Sequence, residues 1–107
     1  MSSRFKFKAW DKKKKLLTRP GTVHFVKGEM VIPECVILQF TGFTDMMEQE
    51  IYEDDILLIG QKRFHVFWDA LDLTWKYKGG VLTKKLNQKF TSTTVRGYNA
   101  YERGEKE

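Results

Sequence analysis

Ile56-Leu57-Leu58-Ile59, Phe64-His65-Val66-Phe67-Trp68 and Leu73-Thr74-Trp75-Lys76-Tyr77 follow one another in quick succession, divided by Gly60-Gln61-Lys62 with Arg63 and by Asp69-Ala70-Leu71-Asp72. Branched and aromatic side chains suit a pleated, half-buried surface, and connectors this short join antiparallel neighbours. The stretch therefore predicts a meander of three strands. Downstream, Gly79-Gly80 predicts another tight turn, residues 81–86 a continuation of the sheet, and residues 90–95 and 98–101 closing strands broken at Gly97. Upstream, Phe5, Phe7 and Ala9 alternate with Lys6, Lys8 and Trp10, a period of two that predicts a strand with one buried face.

After a turn at the lysine run 12–15 and the Arg19-Pro20-Gly21 punctuation, residues 22–26 and 30–32 read as a hairpin folded through Lys27-Gly28-Glu29, and Pro33 ends that pairing. Residues 36–41 read as a further strand and Gly42 as the opening of a loop, in which Asp45 and Glu48 have capping-box spacing for one short helical turn. No segment sustains helical periodicity for three turns. The fold class expected is all-β, a small curved-sheet or barrel-like antiparallel architecture.

With 107 residues, 41% of them hydrophobic and 14% aromatic, the chain is sized for one core. One domain over residues 1–102 and a solvated tail at 103–107 are expected. Apolar runs are too short to span a bilayer, and the charged start at Arg4 lacks a leader-like apolar segment, so no membrane partner and a cytoplasmic location are expected. Cys35 is the lone cysteine and has no internal partner for a disulfide. The net charge of +5 is unevenly spread. Lysines and arginines gather near the start and again over residues 76–96, while Asp45, Glu48, Glu50, Glu53, Asp54 and Asp55 form an acidic block between them. Surfaces of both signs would favour head-to-tail self-association, making a homo-oligomer an expected assembly.

The acidic block is the one place where hard cations could find several carboxylates, but alternate side chains of an extended segment point to opposite faces, so a solvated turn is the expected state. No cofactor or metal is expected. His24 and His65 sit inside strand patterns without a nucleophile in motif context, and no phosphate-cradling glycine loop is present. A non-enzymatic chain follows. Lys6, Lys8 and Trp10 share one strand face, and Lys76 and Lys78 lie beside Trp75 and Tyr77, which gives a candidate nucleic-acid face; the plainer reading packs the aromatics inside and leaves the lysines as soluble edges. Phe43, Met46 and Met47 in the loop, with Tyr98 and Tyr101 near the end, form a candidate protein interface.

One block is specific enough to carry a resemblance: Leu38-Gln39-Phe40-Thr41-Gly42-Phe43-Thr44-Asp45, followed by Glu50-Ile51-Tyr52-Glu53-Asp54-Asp55-Ile56-Leu57. It resembles the YopX family, whose opening and closing motifs are matched by Phe5-Lys6-Phe7-Lys8-Ala9-Trp10-Asp11 and Val95-Arg96-Gly97-Tyr98-Asn99-Ala100-Tyr101-Glu102. The resemblance implies a bacteriophage or prophage accessory protein of mainly β, barrel-like form with an unknown protein partner. It also implies that Thr41, Gly42, Asp45, Glu50, Ile51, Tyr52, Glu53, Asp55 and Ile56 shape a structural corner. Where the family carries glycine before its last aspartate, this chain has Asp54, a residue that enters positive φ only at some cost.

Overall fold

The three apolar runs of the meander are consecutive strands. β7 (Asp55–Ile59), β8 (Lys62–Asp69) and β9 (Thr74–Gly79) pair antiparallel in that order, with Ile56 opposite His65 and Trp68 opposite Trp75. β10 (Leu82–Lys85) adds one edge and β11 (Val95–Asn99) the other, completing a sheet of order β10-β9-β8-β7-β11. A second sheet has the order β2-β1-β5-β6, built from β1 (Phe7–Asp11), β2 (Leu16–Thr18), β5 (Cys35–Thr44) and β6 (Glu50–Tyr52). β3 (His24–Val26) and β4 (Glu29–Val31) pair with each other. The computed structural model describes residues 6–18, 24–26, 29–31 and 34–106, the two short segments by backbone alone. Phe5 and the flanks of the 22–32 hairpin lie outside the described residues. The described chain is a curled half-barrel of antiparallel sheets, the all-β architecture expected.

Packing explains the departures from strand periodicity. Residues 90–95 do not form a strand: α1 (Gln88–Thr91) is a single helical turn whose Asn87 side chain accepts the Phe90 N–H at 2.8 Å. That turn lays Phe90 parallel to Tyr77, with centroids 3.8 Å apart, and edge-on to Phe64, so an aromatic stack closes the core of Ile51, Leu57, Phe64, Val66, Tyr77 and Leu86. Gly97 does not break the chain either. It sits at a bulge between Arg96 and Tyr98 inside continuous β11, where a Cβ would lie 2.7 Å from Leu58 Cδ1. The expected last strand instead ends as a 3-10 turn over Ala100–Arg103, begun by an Asn99 and Glu102 capping box.

β1 is covered on both faces rather than one, since Ala9 and Trp10 are both buried; Trp10 packs with Leu38 and Tyr101 in a second core cluster. Gly42 does not open a loop but continues β5 with φ +90, and the β5–β6 register shifts there. Leu73 precedes β9 in a left-handed conformation, φ +52, so that strand begins one residue later than the apolar run. No helix among the described residues is long and apolar enough to cross a membrane.

Candidate functional site: a bolted polar corner beneath a methionine turn

β6 ends one sheet and β7 begins the other, so the Glu53-Asp54 turn between them is the corner of the molecule. Such a tight reversal needs a left-handed residue, and Asp54 supplies it with φ +65 at the position where the family pattern has glycine. Its backbone is held on both sides: the Asp54 N–H donates to the Val66 carbonyl at 2.9 Å, and the Ala100 N–H donates to the Asp54 carbonyl at 2.8 Å. The Asp54 carboxylate lies 2.8 Å from His65 Nε2 and 3.0 Å from Lys106 Nζ. Burial pushes this carboxyl up, but the hydrogen bonds from His65 and Lys106 outweigh it and leave it below the ordinary aspartate range.

Asp55, with none of its side chain exposed, is the centre of the corner. Its Oδ2 accepts the Tyr52 N–H at 2.7 Å and Arg96 Nε at 2.9 Å, while Oδ1 accepts Asn99 Nδ2 at 3.0 Å. Burial pushes Asp55 upward against the pull of Arg96, Tyr52 and Asn99. The same strand serves a third acid. The Arg96 N–H donates to Asp45 Oδ2 at 2.7 Å, and Asp45 Oδ1 accepts the Met47 and Gln49 N–H groups at 2.8 and 2.9 Å. Thr41 completes the framework: its hydroxyl donates to the Ile51 carbonyl at 2.8 Å and accepts the Phe43 N–H at 3.1 Å beside the Gly42 irregularity.

The solvated acidic turn expected from sequence is therefore corrected. Asp45, Asp54 and Asp55 are all buried, and among the described residues no buried side-chain nitrogen or oxygen lacks a partner. A buried carboxylate is tolerable only when hydrogen-bonded and paired, and Arg96, Asn99, His65 and Lys106 meet that demand. Among the described residues no group of three His, Cys, Asp or Glu side chains is arranged to hold a metal. The acidic surface invoked for head-to-tail association is thus largely internal. Glu50 is spoken for as well, lying 2.6 Å from Lys6 and accepting the Tyr52 hydroxyl at 3.0 Å. Glu53 keeps a half-buried carboxylate, pushed up by burial, near the Gln39 N–H.

The Asp45 carboxylate also fixes what the corner displays. It shapes residues 45–49 as a turn, not the expected helical turn, with Glu48 at φ +60. Met46 is 52% and Met47 66% exposed on it, and the Met46 N–H donates to the Thr94 carbonyl beside exposed Val95. Phe43 packs partly against the core; Tyr98 and Tyr101 are buried and leave the candidate interface. Tyr98 instead receives Arg63 and donates to Glu105. The exposed 103–106 segment is consequently pinned by Lys106 and Glu105 rather than freely solvated.

The two strand faces proposed for nucleic acid are largely occupied. Lys6 is ion-paired with Glu50, Lys8 Nζ lies 4.6 Å from the Tyr52 ring centroid, Trp10 is buried, and Lys76 bridges Asp69 and Asp72; Lys78 alone of the five stands exposed without a described ion pair. Sequence reasoning missed Arg96, Asn99 and Lys106, which lie 41 to 52 positions from the carboxylates they bind. The available signal was an acidic run without local bases, which must either face water or recruit cations from elsewhere.

Fold and corner together define a small antiparallel β protein in which a buried ionic network supports an exposed apolar turn. The family model described as YopX protein matches residues 6–104, and the chain belongs to the YopX family. It is similar in fold to the crystal structure of protein EF1440 from Enterococcus faecalis, with a TM-score of 0.61 and 19% identity over 97% of this chain and 98% of that one. A comparison with curated proteins finds no significant match.

Proposed function

We propose that this YopX-family chain is a non-enzymatic interaction module that self-associates through the methionine turn. The observation carrying the reading is the contrast at one corner: polar groups are consumed by internal hydrogen bonds, while Met46 and Met47 stand exposed on a turn locked by Asp45 and tied to Thr94, next to exposed Val95 in β11. Flexible thioethers on a rigid support suit a protein interface, because the backbone is already ordered and association fixes only the side chains. The phage or prophage setting, and with it the host cytoplasm, is inferred from family resemblance.

Light scattering on purified protein at tens of micromolar tests this reading. The expected mass is that of a dimer or larger, and a Met46→Lys, Met47→Lys variant should fall to the monomer without losing thermal stability. A strictly monomeric wild-type mass would defeat it.

A further inference from the structure

The lysine run 12–15 enters no strand face and forms the turn between β1 and β2. Asp11 organises it: Oδ1 accepts the Lys13 and Lys14 N–H groups, both at 2.9 Å, and the Asp11 carbonyl accepts the Lys15 N–H at 2.7 Å. The Lys12 N–H donates to the Glu34 carbonyl at 3.1 Å. Opposite this turn stands the 3-10 turn Ala100–Arg103. Between them lies an open cleft of about 460 Å³, bordered by Lys12, Lys15 and Lys106, with Trp10 and Tyr101 at its base and Glu102 on its wall.

The lining has the chemistry of an anion site. Lys12 and Lys15 form no ion pair among the described residues, whereas Glu102 already accepts the Asn99 N–H and lies 3.8 Å from Arg96. Lys106 is paired with Asp54, so Lys12 and Lys15 supply the positive charge of the lining. Trp10 and Tyr101 are only 8% and 7% exposed, and neither the indole N–H nor the Tyr101 hydroxyl has a hydrogen bond among the described residues. Since no buried side-chain polar atom among the described residues is unpartnered, both groups reach solvent, at residues that line the cleft. Two fixed donors and lysine cations are the chemistry that recognises phosphate oxygens.

We infer that this cleft binds the phosphodiester backbone of single-stranded nucleic acid, independently of sequence. The volume exceeds that of one phosphate ion, and Lys13 and Lys14 continue the positive track outside the cleft, as an extended polyanion requires. The aromatic rings are mostly covered, which leaves little face for base stacking. Phosphates, not bases, would dominate.

Anisotropy of a labelled oligothymidylate, titrated at two salt concentrations, tests the assignment. The full chain should bind at low salt. Lys12→Glu with Lys15→Glu should weaken binding about tenfold or more and flatten the salt dependence by roughly 1.4 in log-log slope, the value for two phosphate contacts on a single strand. Lys84→Glu with Lys85→Glu, on the exposed edge strand β10, should cost clearly less. Tyr101→Phe keeps the ring and removes only the hydroxyl, and should weaken binding with little change in melting temperature. Three results would overturn the assignment: absence of binding at low salt, equal losses from the two lysine pairs, or full competition by millimolar inorganic phosphate, which marks a small-anion site.

Discussion

The Glu53-Asp54-Asp55 turn and the turn from Asp69 to Asp72 carry the same side-chain type and are each tied to a base, yet they stand in different solvents. Asp55 is wholly buried and meets an Arg96 side chain that is only 15% exposed. Asp69 and Asp72 meet Lys76 at 2.7 and 2.5 Å on a hairpin end, where Asp69 also caps its own turn through the Leu71 and Asp72 N–H groups. Lys76 holds Asp69 below the ordinary range, and the two acids push Lys76 up, but water is an alternative partner for all three. Proximity alone is a poor guide to what an ion pair contributes. Depth decides it, because a buried charge that loses its partner has nowhere to turn.

The sharpest test places a charge beside the corner with no partner at all. Ile51 is fully buried one residue from Tyr52, and Ile51→Asp should cost on the order of 5 kcal/mol, enough to leave little folded protein by circular dichroism. Next comes removal of one member of the buried pair. Asp55→Ala should cost about 3–5 kcal/mol by urea unfolding, while Asp55→Leu combined with Arg96→Met should recover a good part of it, since the stranded guanidinium is gone. If the single and double changes are equal, the corner depends on Asp55 for its backbone contacts and not for its charge.

Asp54 gives an intermediate effect with a defined pH signature. Its folded carboxyl lies below the ordinary aspartate value of 3.8, so the stability it contributes is complete above that value and is lost as pH falls through the lower folded one. Asp54→Asn, which retains tolerance of positive φ, should cost about 1–2 kcal/mol near neutrality. The gap from wild type should close in acid below the ordinary aspartate range, as followed by thermal melts. Asp55, pushed upward by burial, gives a slope of opposite sign, its protonation favouring the folded state and that contribution fading as pH rises above 3.8. Lys76→Ala should have the smallest effect, a shift in urea midpoint that disappears at high salt; a shift as large as that of Asp55→Ala would erase the distinction between the two turns.

The legible part of this fold was the part with local causes. The alternation and short connectors around Phe64, Val66 and Tyr77 specify the meander, and the residue standing in for a family glycine marked the position where Asp54 takes φ +65. Phe90 misled because an aromatic run suits a strand as well as a helical turn, and only the waiting faces of Tyr77 and Phe64 selected the turn. Tyr98 and Tyr101 resembled interface residues for the same reason: composition does not say which surface covers an aromatic.

By itself the sequence determined an antiparallel β protein of the YopX pattern, because side-chain period and turn residues act between near neighbours. The tertiary structure decided the destiny of the charges. Whether Asp55 met water or Arg96, and whether Lys12 came to face Tyr101, depended on contacts between distant segments, and desolvation is a property of the assembled surface that no single stretch of chain contains.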